Sequence, residues 1–358
     1  MDKTAITKYN LRPIILLLLL TVFLIVSTYA WFSSNKKVRV NTLDIVVQAS
    51  EGFQISLDGL NWKSVIQSNE ITGDIVNQTY PANKNQVPNE MLPVSTATFT
   101  DGSTGYMNMF LGTVVADESS SSATYGQYII TSKQITEQKG NTGCYIAFDL
   151  FLKTNYDIYL YLQEEADVSD NAITGTNRAN KGMENSARVA FVEQGYIPAT
   201  DTRTESALAA AAQALKYTDY QDGRNVTIWE PNYDAHTEFA KAEVFGLLGI
   251  ATNSAIWNSR ILYDGLCTPI PTSSPILLGN ANETSSPAYF KSIPDSKFVR
   301  TPKGGSTSGS TDTGIIVKGG ITKMRIYMWL EGQDLDCGDS ASGSDIRFDL
   351  SLEAVRVP

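Results

Sequence analysis

The sequence predicts a mainly β protein: an antiparallel β-sandwich of jelly-roll or Ig-like type with an inserted, partly helical segment, preceded by an N-terminal signal or transmembrane helix. Apolar residues recur with period two in one segment after another, the spacing that puts alternate side chains on one face of a strand. Turn-forming Gly, Asp, Asn and Ser separate those segments. Strong helix propensity is confined to one stretch, ESALAAAAQALKY at 205–217, where Thr204 is the candidate N-cap.

Taken in order, residues 1–12 carry Lys3, Lys8 and Arg12 and are followed by the almost wholly apolar run 13–26. A basic start followed by an apolar run is the layout of a secretory leader. Thr28, Tyr29 and Ala30 supply small residues around a larger one, placing the cut between Ala30 and Trp31. The alternative is an uncleaved anchor through residues 13–32, long enough to cross a bilayer as a helix. Localisation is then secreted, at the cell surface or in the extracellular matrix, or membrane-anchored if the leader stays.

Residues 36–47 (KKVRVNTLDIVV) form an exposed N-terminal strand whose apolar residues are Val38, Val40, Leu43, Ile45 and Val47. The unit 31–49 is expected to stand apart from a body at 50–358. GFQISL, Asp58-Gly59 and Leu60-Asn61-Trp62 read as a hairpin. Strands follow within 97–115 and 127–135. YIAFDLFLK at 145–153 and DIYLYL at 157–162 read as a core hairpin, and RVAFV at 188–192 and VTIW at 226–229 as two more strands. Residues 165–300 are expected to be the insertion, with an ambiguous helix at 237–250. PKGGSTSGSTDTG at 302–314 has the composition of a flexible loop.

Near the C-terminus, Met324, Ile326, Met328 and Leu330 share one face and Arg325, Tyr327 and Trp329 the other; Ile346, Phe348, Leu350, Leu352 and Ala354 alternate with polar residues. Joined by the polar loop 332–345, these two strands are expected to form an antiparallel ribbon with one wet face.

Composition narrows the function. The 358 residues carry 28 Lys+Arg against 38 Asp+Glu, a net −10. Removing 1–30 takes away three basic residues and only one acid, so the exported part is more acidic still. Nucleic acid is not an expected partner, because phosphate binding is driven by Lys and Arg replacing counterions. The one histidine, His236, excludes an HExxH zinc site and stands beside Asp234 and Glu238 in what reads as a solvated loop. No G-x-S-x-G, P-loop or G-x-G-x-x-G fingerprint occurs. The chain reads as non-enzymatic, with no catalytic or cofactor-binding residue.

The acidic loop Asp334, Asp336, Asp339 and Asp345 is the one weak metal candidate, for calcium, although its spacing fails the EF-hand pattern at Gly338, Asp339 and Asp345. Glu331 with Asp336 is a weaker carboxylate pair still. Tyr327 and Trp329, with Tyr159 and Tyr161, offer a carbohydrate platform if exposed. The three cysteines, Cys144, Cys267 and Cys337, allow one bridge at most, with Cys267–Cys337 mildly favoured.

The stretch 27–52, STYAWFSSNKKVRVNTLDIVVQASEG, resembles the cleavage region of Gram-positive exported proteins processed by the SipW-type signal peptidase. That group includes the TasA/camelysin family of biofilm-matrix fibre proteins. The likeness lies in Ala30, the aromatic pair Trp31 and Phe32, the polar stretch with Asn35, and the strand from Val38 to Val47. YIAFD at 145–149, RVAF at 188–191, IWEPN at 228–232 and WLEGQD at 329–334 are similar to segments of uncharacterised clostridial proteins with the same leader. The resemblance implies a jelly-roll subunit whose freed N-terminal segment, 31–47, pairs as a donor strand with the next copy, so that the partners are signal peptidase, the membrane through 13–32 before cleavage, and the chain itself. A monomeric surface module for glycan or calcium-dependent adhesion is the alternative.

Overall fold

The computed structural model describes residues 38–39, 44–50, 52–71, 78–98, 104–121, 125–126, 128–163, 166–170, 183–216, 226–229, 237–238, 276–277, 298–299, 315–332, 334, 336–337 and 346–358. The segment 1–30 expected to be a leader, and Trp31, Val40, Leu43, His236, Cys267, Asp339 and Asp345, lie outside these residues. Among the described residues no helix is long and apolar enough to cross a membrane.

The protein is mainly β, with sheets that are mostly antiparallel. Its strands are β1 (Val38–Arg39), β2 (Asp44–Ala49), β3 (Phe53–Ser56), β4 (Val65–Ile66), β5 (Glu90–Met91), β6 (Ser95–Thr98), β7 (Asn108–Ala116), β8 (Tyr128–Ile135) and β9 (Ile146–Thr154). They continue as β10 (Ile158–Leu162), β11 (Asp167–Asp170), β12 (Ala187–Pro198), β13 (Val226–Trp229), β14 (Ile276–Leu277), β15 (Phe298–Val299), β16 (Ile315–Val317), β17 (Gly320–Leu330) and β18 (Ile346–Arg356). Among the described residues three short helices accompany them: α1 (Ser68–Ile71), α2 (Met183–Ser186) and α3 (Glu205–Ala214).

Two six-stranded sheets share one apolar core. The first runs β16-β10-β18-β2-β4, with β11 also on β18; the second runs β15-β13-β12-β17-β9-β3. Ile45, Val47, Leu160, Phe348 and Leu350 of the first sheet meet Ile55, Phe148, Leu150, Val189, Ile326 and Met328 of the second. Burying each such side chain contributes roughly 1.5–3 kcal/mol. A four-stranded sheet, β14-β8-β7-β6, and a β1-β5 pair complete the set.

Several expectations are corrected by this arrangement. The expected ribbon does not form: β17 and β18 lie in opposite sheets, because their apolar faces point at each other across the core. For the same reason β9 and β10 are not a hairpin; the short turn between them carries the chain from one sheet to the other. The span expected as an insertion contains β12, which pairs with β17 from Ala187↔Leu330 to Pro198↔Gly320 and so belongs to the core. Leu60-Asn61-Trp62 is not a strand, because the Asp58 carboxylate accepts the Leu60 and Asn61 amides at 2.8 Å each. The chain still turns back, with Ile55 bridged to Lys63. α3 ends at Ala214, where Leu215 turns extended (ψ 139°), and the Thr204 side chain makes no capping bond. Of the ambiguous helix at 237–250 only residues 237–238 are described.

The wet face is the largest correction. β17 is buried along its whole length, with Tyr327 and Trp329 at 0% exposure. Their side of the second sheet is covered by Val94, Met107, Met109 and Tyr145. Further along, Phe151 and Ile321 are covered by Tyr80 and by Ala212 of α3.

Two glycines make the long β12–β17 pairing fit. Gly195 (φ 134°) closes the bulge where the register shifts after Glu193, and Gly320 (φ 133°) starts β17 against the Ile197 carbonyl. A Cβ at position 320 would lie 1.9 Å from that oxygen. Gly320→Ala is therefore expected to lower stability by about 1–3 kcal/mol from backbone conformation alone, with the clash added. Urea unfolding reads this as a lowered midpoint, and an unchanged midpoint would contradict the tight crossing.

Candidate functional site: the strand slot and two buried charge clusters

The residues predicted to assemble chains divide in two. Val38 pairs with Met91 in the β1-β5 ribbon. Ile45 and Val47 are at 0% exposure inside the first sheet, while Val40 and Leu43 lie outside the described residues. The expected exposed N-terminal strand is thus corrected for its second half: alternation sends Ile45 and Val47 inward, and the shared core takes them.

The seat of β2 is a slot between two unequal lips. One lip is β18, which pairs with β2 in parallel from Arg347↔Asp44 to Leu352↔Ala49. The other is β4, which meets it antiparallel only at Val47↔Ile66 and Gln48↔Val65. Beyond these, the Ala49 amide donates to the Ser64 carbonyl at 2.8 Å and the Ser50 amide to the Leu352 carbonyl at 3.1 Å. The slot therefore joins the N-terminal part of the described chain to its last strand.

Two clusters of buried charge stand on the other face of the second sheet. In the first, Arg325 of β17 is 1% exposed. Its Nη1 donates to Asp149 Oδ1 at 2.8 Å, its Nη2 to Glu137 Oε2 at 2.6 Å and to the Lys84 carbonyl at 2.8 Å, and its guanidinium lies 5.0 Å from the Tyr106 ring centre. Tyr327 donates its hydroxyl to Glu137 and Tyr80 its own to Asp149. Lys323 Nζ donates to the Gln213 carbonyl at the end of α3 at 2.9 Å and lies 3.6 Å from Asp149 Oδ2. Burial alone would raise the Asp149 carboxyl, but Arg325, Lys323 and the Tyr80 hydroxyl overcome it and hold it below its ordinary 3.8. Burial pushes the Lys323 ammonium down, with Asp149 opposing.

The cluster acts as a clamp. Asn85 accepts the Asp149 amide at 2.9 Å through its side-chain oxygen, and Tyr327 accepts the Met107 amide at 3.2 Å. The loops around 80–85, 104–107 and 137 are thereby fixed over the sheet by fully partnered polar groups.

The second cluster contains two of the four predicted acids, Asp334 and Asp336, together with Glu331. Asp334 Oδ2 accepts Arg188 Nη2 at 2.7 Å, and its Oδ1 accepts the Asp336 amide at 2.8 Å. Asp336 Oδ1 in turn accepts the Thr237 amide at 2.7 Å. Glu331 accepts the Ser95 hydroxyl and, at 3.2 Å, the Trp329 indole N–H. Glu331 and Asp336 are 0% and 2% exposed, so neither faces a cleft as a glycosidase pair would. Asp334 and Asp336 serve as anchors for backbone and Arg188, and no group of three or more metal-ligating side chains converges among the described residues. Burial, with Asp336 adding and Arg188 opposing, pushes the Asp334 carboxyl up to about 7.

Cys144 and Cys337 are both free thiols, so the favoured Cys267–Cys337 bridge is not formed. Cys337 packs in the core, where burial pushes its thiol up to about 12. The predicted platform keeps only Tyr159 and Tyr161, half-buried side by side on β10 with ring centres 6.4 Å apart. What the sequence reading missed is the pairing of Arg325 with Asp149 and Glu137, and of Arg188 with Asp334. Charged residues inside apolar strands, as in YIAFDLFLK, KMRIYMWL and ARVAFV, were the available signal. No family model matches the chain, and neither a curated protein nor a solved structure matches it.

Two results are expected. Arg325→Met leaves Asp149 and Glu137 buried without their cation and costs about 3–5 kcal/mol by urea unfolding; a change below about 1 kcal/mol would contradict the clamp. The two acids also shape the pH profile with opposite signs. Asp149 titrates lower folded than unfolded, so its contribution is complete above the ordinary carboxylate range and is lost as pH falls through the depressed folded value. Asp334 titrates higher when folded, so its contribution is complete below 3.8 and is lost as pH climbs to about 7. Asp149→Asn should flatten the acid limb of stability against pH, and Asp334→Asn the limb between 4 and 7.

Proposed function

We propose that the two core sheets form a β-sandwich of jelly-roll or Ig-like type, and that this chain is an exported, non-enzymatic structural subunit of a cell-surface or biofilm-matrix fibre, assembling by β-strand donation. One observation carries the proposal: β2, near the N-terminal end, sits in an inter-strand slot with Ile45 and Val47 filling apolar pockets. A slot of this kind recognises an extended strand of matching alternation through main-chain bonds on its lips and pockets for every second side chain. Donation from one copy to the next is a head-to-tail contact, and such contacts grow open filaments when the rotation does not close. The leader and the likeness of 27–52 to SipW-type substrates support export, with signal peptidase and the membrane as transient partners.

A second reading, a monomeric surface module for glycan or calcium-dependent adhesion, is favoured by Tyr159 and Tyr161 on the outer face of the first sheet. The two separate experimentally. The chain recovered after export is expected to form filaments by negative-stain microscopy and to elute early in size exclusion, and an excess of synthetic peptide 38–49 is expected to shorten the filaments by occupying slots. A monodisperse monomer over days at high concentration would overturn the fibre reading.

A further inference from the structure

We infer that the outer face of the first sheet binds a cationic glycan, a polymer of amino sugars with free ammonium groups, laid across Tyr159 and Tyr161. This rests on the second reading above, a surface module for glycan, and names the class of sugar; it holds whether or not chains form a fibre.

The face follows from alternation. In β10, Ile158, Leu160 and Leu162 enter the shared core, so Tyr159 and Tyr161 stand on the other side, with ring centres 6.4 Å apart. Register fixes their neighbours. Tyr159 lies between Ile316 of β16 and Val355 of β18, and Tyr161 is opposite Glu353 of β18. Side chains opposite one another in this way have Cβ atoms about 5 Å apart. The two rings, Ile316, Val355 and Glu353 therefore form one shelf, each of them half-buried.

Beyond the shelf the same face turns acidic. Further back along β18 stands Asp349, with the exposed Asp167 of β11 as its register partner. Burial raises the Asp349 carboxyl, with Arg347 opposing and Asp167 adding. Arg347 pairs with Asp349 at 3.3 Å, which leaves Glu353 and Asp167 outside any ion pair among the described residues.

These features select the ligand. β10 is paired on both sides, with β16 and with β18, so an extended peptide has no free main chain to add to, and recognition here rests on side chains. A tyrosine ring offers a flat apolar surface with a negative π-face, which takes the C–H side of a sugar ring and attracts a neighbouring ammonium. Glu353, beside Tyr161, supplies the opposite charge. Over longer range the net −10 of the chain draws polycations and repels anionic polymers. A neutral glycan would use the rings alone, whereas an amino sugar uses the rings and the carboxylates together.

Titration calorimetry on the full chain recovered after export tests the assignment, with a short glucosamine oligomer, its N-acetylated counterpart and an oligolysine as probes. The glucosamine oligomer is expected to bind about tenfold more tightly than the acetylated one. Tyr159→Ala/Tyr161→Ala is expected to abolish binding, Tyr159→Phe/Tyr161→Phe to keep it, and Glu353→Gln to narrow the preference for the glucosamine oligomer. Binding lost with the Ala pair and kept with the Phe pair, at an unchanged urea midpoint for both, separates loss of the rings from loss of the fold. If the two sugars bind equally and Glu353→Gln changes nothing, the cationic class is overturned while the glycan reading stands. If oligolysine binds at the tyrosines and the glucosamine oligomer does not, the ligand is a basic peptide and the inference is overturned. If none of the probes binds, the inference falls and the glycan reading falls with it.

Discussion

The fold depends on one constraint: β17 has to be covered on both faces. Met324, Ile326, Met328 and Leu330 turn toward the first sheet, while Tyr327 and Trp329 turn the other way with as little exposure. A strand of that kind cannot sit in a sheet with one solvated side. The loop segments around Val94 and Met107, the β7 strand and α3 are therefore drawn over the back of the second sheet, and the first sheet is left to carry the solvent-facing side chains, such as Tyr159 and Gln48.

Covering that back face brings Arg325, Arg188 and Asp149 under protein, and charge has to be matched there. Loss of hydration at these positions is offset by counter-ions and backbone carbonyls, and each matched group ties down a separate piece of chain. Arg325 joins β9 to the loops at 84 and 137, and Asp334 joins the end of β17 to the start of β12. Such pairs add specificity of placement more than net stability, because an apolar set of the same shape would fill the space as well. In this protein they decide where the covering loops lie.

The slot for β2 follows from the same division of labour. With the second sheet enclosed, the first sheet closes the core on its other side, and the position between β18 and the edge strand β4 is filled by a segment from near the N-terminus. Parallel pairing of β2 with β18 brings the two ends of the described chain together. The first sheet is thus completed by β2 of the same chain, held between β18 and β4.

Local pattern determined the elements. Period-two alternation placed β9, β10, β12, β13, β17 and β18, and the alanine-rich stretch placed α3, because both are properties of neighbouring residues and survive without knowledge of partners. The same pattern located Ile45 and Val47 as apolar residues of a strand, but of an exposed one. Tertiary structure alone decided which sheet each strand joined, since alternation is silent about its partner: β17 with β18 and β9 with β10 read as hairpins and are not. It also decided that the face of Arg325, Tyr327 and Trp329 is dry. A charge within a strand reads as a solvent-facing position until its counter-ion is known, and Asp149 lies 176 residues from Arg325 in the sequence. Whether β2 stands free or completes its own sheet was settled in the same way, by a slot whose lips, β4 and β18, come from distant parts of the chain.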